Sequence, residues 1–204
     1  MNPVECVHDK YVHARRVHVL CRRLIALIPE RAEVLDVGCG DGLLTALLAK
    51  GRSDITIRGL DVTVRKNAVI PIEAFNGQVI PYPDKGVDAV MLIDTLHHTD
   101  DPMILLREAR RVARSTILIK DHTQEGWLAE PTLRFMDWVG NARHGVASPG
   151  HYWRKAQWDA AFQALGVRVR AWEHQLGLYP WPANWIFERS LHFIACVDIA
   201  GDKP

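Results

Sequence analysis

The stretch Val34-Leu35-Asp36-Val37-Gly38-Cys39-Gly40-Asp41-Gly42 limits what this chain can fold into more than any other. An apolar run ends in three glycines at alternate positions, and Leu43-Leu44-Thr45-Ala46-Leu47-Leu48-Ala49 follows at once. That order predicts a buried strand, a tight turn and a helix with its apolar residues against a sheet. Glycine serves where the backbone takes a positive φ, or where a ligand must approach with no Cβ in the way. Asp36, at the strand's end, is expected to offer an acceptor to the crevice where open α/β sheets bind ligands. The spacing also excludes two phosphate-binding turns. A dinucleotide fingerprint, G-x-G-x-x-G, needs glycine where Leu43 stands, and no G-x-x-x-x-G-K-[ST] occurs.

More landmarks follow in order. Ile55–Asp61 reads as a strand, and Asp61 stands about 20 residues past the glycine turn, the separation at which an acid reaches a ribose diol. Val87–Asp94 reads as a strand, with Thr95-Leu96-His97-His98 at its end. Asp101-Pro102 has the composition of a helix start, and Ile104, Leu105, Ala109 and Val112 mark the expected buried face. Ser115–Lys120 is another strand, ending in Asp121-His122.

The run Asp36-x-Gly38-x-Gly40-x-Gly42 resembles motif I of the class I S-adenosylmethionine-dependent methyltransferases, and the order of landmarks over residues 34–120 resembles that family too. The resemblance implies a Rossmann-like, doubly wound α/β domain whose seven-stranded sheet is mostly parallel with one antiparallel strand. It implies S-adenosyl-L-methionine as cofactor, held by Asp36, Gly38, Cys39, Gly40 and Leu43 at the glycine turn and by Asp61 with Val62 at the second strand. Phe75–Asp84 is similar to the family stretch that frames adenine, which adds Asn76 and Gly77. Asp94, Thr95 and Leu96 complete the set. Asn76 stands where many relatives carry Asp, and its side-chain carbonyl is expected to accept from the adenine amino group. Residues 64–74 depart from the family pattern: Pro71 interrupts them, and a short irregular crossover is expected instead of a helix.

Composition bounds the rest. With 204 residues, 48% of them hydrophobic, the chain can bury one core and is read as one domain over 1–204. Residues 30–120 form its cofactor-binding half and 121–204 its acceptor half. The 25 basic and 24 acidic residues nearly cancel, which makes nucleic acid an unfavoured partner. Cys6, Cys21, Cys39 and Cys196 are scattered without a C-x-x-C pair, so neither a metal site nor a disulfide framework is expected. No apolar leader and no bilayer-length run occurs, so no membrane insertion is expected and the reading is a cytoplasmic enzyme.

Residues 10–28 read as an amphipathic helix, stopped by Pro29, with Val17, Leu20, Cys21 and Leu24 on one stripe. Arg15, Arg16, Arg22 and Arg23 fall largely off the stripe and are read as a solvated basic face. In the family such a helix often covers the methionine end of the cofactor. Arg154–Leu165 reads as a helix, and Val167–Trp172 and Leu191–Val197 as the last two strands. All seven tryptophans lie between Trp127 and Trp185, after the cofactor motifs are complete. They are expected either to fill the core or, in residues 121–153 and 175–187, to form an aromatic lid over the acceptor. The stretch Met136–Gly145 has no assignable chemistry.

Methyl transfer from a sulfonium is an in-line displacement in which positioning dominates, and a base is needed only for an unactivated hydroxyl, amine or acidic carbon. His97, His98, Asp121 and His122 are the candidate catalytic residues because strand ends would bring them to the sheet's edge; His144, His151 and Tyr152 are weaker candidates. No [N/D/S]-P-P-[Y/F/W] follows the fourth strand, which argues against methylation of an exocyclic base or amide nitrogen. The expected reaction is therefore methylation of a small organic acceptor. A non-catalytic cofactor-binding subunit, an RNA or protein methyltransferase, and more distantly a nicotinamide oxidoreductase are the rivals.

Overall fold

The computed structural model describes residues 14–141 and 150–199. Seven strands make one sheet: β1 (Glu33–Val37), β2 (Thr56–Asp61), β3 (Ile72–Ala74), β4 (Val87–Ile93), β5 (Ala113–His122), β6 (Val167–Glu173) and β7 (His192–Ile199). Their order is β3-β2-β1-β4-β5-β7-β6. β7 runs antiparallel to both of its neighbours, and all other pairings are parallel. The doubly wound sheet with one reversed strand is thus as the resemblance implied.

Strand alternation builds the two layers, because successive side chains point to opposite faces. Leu35, Val37, Val90, Leu92, Ile117 and Ile119 face one core, which is covered by α3 (Pro102–Val112) and α5 (Lys155–Leu165). Val34, Ala89, Met91 and Leu118 face the other, covered by α1 (Ala14–Leu24) and α2 (Leu43–Gly51). Helix α3 starts as its sequence predicts: the Asp101 carboxylate accepts the Met103 N–H at 2.9 Å, and Pro102 occupies the first turn. Ile104 departs from expectation, since it is exposed and Leu106 takes the buried position.

Other differences are local. Of the helix expected over 10–28, Ala14–Leu24 is helical and turns follow it; residues 10–13 lie outside the described residues. The crossover after β2 is irregular, as expected, but its end adds the short edge strand β3. Helix α4 (Ala129–Asn141) was not foreseen, and it runs through the first part of the unassigned Met136–Gly145 stretch. A one-turn α6 (Asn184–Phe187) precedes β7.

This strand order reverses direction between β1 and β4. At such a switch point the connections leave the sheet on opposite sides and open a crevice at the carboxyl ends. Gly38, just after β1, and Thr95, just after β4, meet there: the Thr95 hydroxyl donates to the Val37 carbonyl at 3.0 Å.

Candidate active site at the carboxyl edge of the sheet

The β1–β2 side of this edge is built largely from backbone. Gly38, Gly40 and Gly42 have φ of 81°, 65° and 79°. At Gly38 and Gly42 a Cβ would also collide with Thr95 and Ile70, so packing alone demands glycine. At Gly40 a Cβ would meet only the Arg65 guanidinium, 3.8 Å away. Glycine at that position is therefore set by its left-handed backbone, and the packing beside it leaves room for a ligand.

Two carboxylates flank the turn. The Asp61 carboxylate accepts the Gly40 N–H at 2.8 Å and the Thr63 N–H at 2.9 Å, which joins the end of β2 to the glycine turn. Asp36 is buried; its Oδ2 accepts the Thr45 hydroxyl at 2.5 Å, while Oδ1 has no partner among the described residues. Burial pushes the Asp36 carboxyl up to about 6, against the opposing hydrogen bond from Thr45. Burial, with Asp36 and Asp61 nearby, also pushes the Cys39 thiol up to about 12, which keeps it neutral. Leu43 is half-buried at the head of α2, its N–H bonded to Asp41 at 3.1 Å.

Val62, 60% exposed, lies beside Asp61, and a Cβ on Gly77 would sit 3.1 Å from its Cγ1. Asn76 corrects one expectation. Its Oδ1 accepts the N–H groups of Gln78 and Val79 at 2.9 and 2.8 Å, so the carbonyl holds its own turn and is not left for adenine. Even so, the donor set fits a nucleoside that carries an amino acid. It offers a carboxylate at ribose spacing, an exposed apolar side chain beside it, and a buried carboxylate oxygen lacking a donor.

The β4–β5–β7 side is built from buried side chains. Asp94 closes β4 with φ 55°, a left-handed conformation unusual for a residue with a side chain. It accepts from Arg16 of α1 at 2.5 Å and from the completely buried Lys120 of β5. These two cations outweigh the effect of burial and hold its carboxyl well below the usual range. Burial and Arg16 together press the Lys120 ammonium down to about 8, against the pull of Asp94. Arg16 therefore overturns the reading of a solvated basic face, and so does Arg23, which bonds Glu173 at 2.6 Å.

Next to this triplet, Asp121 organises the histidines. Its Oδ2 accepts the Leu96 N–H at 3.0 Å and its Oδ1 lies 2.7 Å from His97 Nδ1. The Leu96 side chain points into the core, so that residue reaches the edge only through its backbone. With Nδ1 on Asp121, His97 presents Nε2 toward Asp137 of α4, 3.7 Å away. Burial would lower the His97 pKa, but Asp121 and Asp137 prevail and raise it. The His98 ring lies tilted against His97 with ring centroids 4.0 Å apart, and its Nδ1 has no partner among the described residues. Burial and the adjacent His97 lower its pKa.

His122 lies with Nδ1 3.4 Å from His97 Nδ1, opposite His192 across the antiparallel β5–β7 pair. Burial, with Lys120 close by, drops it to about 4, so it is neutral near pH 7. Tyr152 donates to Asp137 and closes the cluster from above α5. His151 is exposed, and His144 lies outside the described residues. Asp94, His97 and His122 each bring a ligand atom within 4.8 Å of the others. Arg16 and Lys120 already supply the positive charge that a divalent ion would bring to Asp94.

Sequence reasoning thus assembled His97, His98, Asp121 and His122 correctly in space but missed Arg16, Lys120, Asp137 and His192. Lys120 had a visible signal, a lone charge closing the apolar run Ile117-Leu118-Ile119. Asp137 had none, because its partners are distant in sequence.

The aromatic residues divide. Trp153, Trp158 and Trp172 pack against the core with Phe162 and Phe193, the Trp172 and Phe193 rings stacked 4.1 Å apart. Trp127, Trp138, Trp181 and Trp185 are exposed. A surface cavity of about 420 Å³ bounded by Gln124, Trp127 and Arg154, and another of about 600 Å³ bounded by Arg107, Arg111 and Gln163, both lie away from the glycine turn. The site is therefore located by its polar geometry, not by cavity size. No helix among the described residues is long and apolar enough to cross a membrane.

Comparison with known proteins agrees with this geometry. A family model described as a methyltransferase domain matches residues 11–171. An uncharacterised methyltransferase of Mycobacterium tuberculosis is 31% identical over 180 residues, covering 83% of this chain and 77% of that protein. A fatty-acid O-methyltransferase of Mycolicibacterium smegmatis is 33% identical over 158 residues, 73% of this chain and 50% of that protein. A 27-O-demethylrifamycin SV methyltransferase of Amycolatopsis mediterranei is 29% identical over 110 residues, 47% of this chain; the chain spans only 40% of its length. Among solved structures, an S-adenosylmethionine-dependent methyltransferase from Aquifex aeolicus has the same fold, with a TM-score of 0.61 at 20% identity over 98% of this chain and 99% of that one. Glycine turn, paired carboxylates, strand order and family match converge: the chain belongs to the class I S-adenosylmethionine-dependent methyltransferases.

Proposed function

We propose that this enzyme methylates a heteroatom of a small organic acceptor, with His97 as the base that removes the acceptor's proton. One observation carries the reading: the His97–Asp121 pair stands beside the switch point, two residues from Thr95, which itself covers Gly38. With its Nδ1 proton on Asp121, a neutral His97 has its Nε2 lone pair on the side of Asp137, and such an Asp–His pair suits a general base. When bound, the cofactor would supply an electrophilic methyl group for an acceptor lone pair and would leave as the neutral thioether, keeping the electron pair of the broken carbon–sulfur bond. The acceptor's proton passes to His97 Nε2, and Asp121 stabilises the resulting imidazolium.

On the other side, Asp61 would hold the ribose diol and Gly38–Gly42 the amino-acid part, with Asp36 Oδ1 accepting from the ammonium group. Val62 and Gly77 would flank the base. Asp94, fully engaged by Arg16 and Lys120, keeps the end of β4 in place and does not itself bind. Two of the similar proteins act, by their names, on a fatty acid and on 27-O-demethylrifamycin SV, which supports a small-molecule acceptor here. The scattered free thiols Cys21, Cys39 and Cys196 suit a cytoplasmic setting.

The test is a panel of small alcohols, phenols, amines and acids, with release of S-adenosylhomocysteine followed by mass spectrometry. His97→Gln is expected to lower turnover by about 100-fold or more while S-adenosylhomocysteine binds as before. Turnover that survives His97→Gln, or methylation confined to RNA or protein, rules the reading out.

A further inference from the structure

The exposed aromatic residues take no part in the chemistry proposed for His97. Phe135 and Trp138 on α4, with Trp181, Trp185 and Ile186 in and before α6, are each more than half exposed. The two elements adjoin. The Phe135 ring stacks on Phe187 at 6.2 Å and lies 6.2 Å from Trp138, and Arg189 donates to the Thr132 hydroxyl at 3.0 Å. Exposed apolar surface gathered in this way, with polar residues at its rim, marks a place of contact.

The rim carries charge of one sign. Helix α1 has Arg15, Arg16, Arg22 and Arg23 and no acid. Arg16 and Arg23 are bound to Asp94 and Glu173. Arg15 and Arg22, seven residues apart, share one face of the helix and are exposed. The Arg15 guanidinium donates to the Gly177 carbonyl at 3.2 Å, which sets that face beside the segment leading to Trp181. At α6, Arg189 donates to the Ile186 carbonyl and to Thr132. Arg15, Arg22 and Arg189 have no acidic partner among the described residues. Nearby acids are engaged within the fold: Glu130 by Arg134, Glu173 by Arg23, and Glu188 by the N–H groups of Gly177 and Leu178.

We propose that this aromatic face docks on the surface of an anionic phospholipid bilayer, with its rings at the headgroup boundary and Arg15, Arg22 and Arg189 on the lipid phosphates.

Tryptophan suits that boundary because its body is apolar and its N–H is polar. Apolar contact and a few basic residues together give peripheral binding, and no crossing helix is needed. A second copy of the chain fits the face less well. In a two-fold contact the same surface meets itself, which would set one arginine rim against another. The face also adjoins the site: the Tyr179 ring lies 5.8 Å from His192 and 5.5 Å from Phe187, which stacks on Phe135. The docking goes beyond the proposed reaction and does not depend on His97 as its base.

The experiment floats the whole chain with two kinds of vesicle, phosphatidylcholine alone and an equal mixture of phosphatidylcholine and phosphatidylglycerol. Binding to the mixed vesicles is expected to be about tenfold tighter or more, and to weaken at high salt. Tryptophan emission of the parent should shift to the blue on those vesicles, which tests the aromatic contact without any substitution. Trp181→Ser combined with Trp185→Ser should lower vesicle affinity about tenfold or more. Arg15→Gln combined with Arg22→Gln should remove most of the preference for the charged lipid. Tm and S-adenosylhomocysteine affinity, measured on both variants, should match the parent. No binding to either vesicle, equal binding to both, or binding that both variants retain overturns the proposal. A stable dimer in sedimentation velocity that the tryptophan variant splits would assign the face to a second copy and overturn it as well.

Discussion

The two sides of the carboxyl edge are made in opposite ways. Around β1 and β2 the site consists of backbone: three left-handed glycines, and N–H groups that reach Asp61 from Gly40 and Thr63. Around β4, β5 and β7 it consists of side chains, with Lys120, Asp121, His122, His97 and His192 all buried. The first construction depends on local sequence. The second depends on residues from three separate segments, and it can change its chemistry through single substitutions while the fold persists. Buried charge is also costly when one partner is missing, so the β4–β5–β7 side carries more of the stability risk.

The sharpest break in that contrast is Asp94→Ala. It would strand the buried Lys120 ammonium, and the expected loss is about 3–5 kcal/mol, read as a large fall in Tm. Should Asp94→Ala melt like the parent, the buried Lys120 ammonium would not depend on Asp94 for its stability.

Acidification comes next. The folded His122 titrates at about 4 and His192 is held well below its usual range, whereas both titrate near 6.5 when unfolded. Both shifts are downward, so the stability they permit is complete above about pH 6.5 and drains as pH falls toward 4. Each such group costs about 1.4 kcal/mol per pH unit through that window. Asp121 acts in the same direction at lower pH, because His97 and His122 hold its pKa down. His97 has the opposite sign: its pKa is raised, so its contribution is full below about 6.5 and is lost as pH rises through the folded value. Tm measured from pH 7 to pH 4 should therefore fall, and His122→Asn should flatten the fall.

On the cofactor side, Asp61→Ala is expected to weaken S-adenosylhomocysteine by about 1.5–3 kcal/mol in calorimetric titration. Because Asp61 also ties Gly40, Asp61→Asn tells the two roles apart: the amide oxygen can keep the Gly40 bond but lacks the charge. Equal affinity in both variants and the parent would remove Asp61 from the ribose.

The smallest effects separate the tryptophans. Trp158→Ala should cost about 3–5 kcal/mol because it empties the core beneath β7, and it serves as the reference. Trp138→Ala and Trp181→Ala, at 68% and 74% exposure, should change stability by no more than about 0.5 kcal/mol. If the exposed rings form part of an acceptor surface, those two variants lower turnover at an unchanged Tm and unchanged cofactor affinity.

The legible features were those whose cause is local. Glycine spacing after an apolar strand, Asp61 at the end of β2, the Asp101-Pro102 helix start and the apolar runs of β4 and β5 each follow from neighbours within a turn or a strand. The carbonyl of Asn76 is taken up by its own turn, which the sequence does not reveal, because an Asx turn competing for it looks identical there. Helix α4 went unseen; its buried contact, Leu133 with Tyr152 and Leu191, joins segments far apart in the chain.

Hydrophobic alternation and turn chemistry alone are enough to specify a doubly wound sheet with a glycine-lined crevice at its switch point. They act over a few residues, so they can be read in order along the chain. The ionisation states of the histidines are another matter. Whether His97 is a base and His122 an inert neighbour depends on Asp121, Asp137, Lys120 and Arg16 meeting in a desolvated space. Coulomb interactions strengthen and hydration is lost only once those segments are packed together, so the protonation pattern belongs to the tertiary structure.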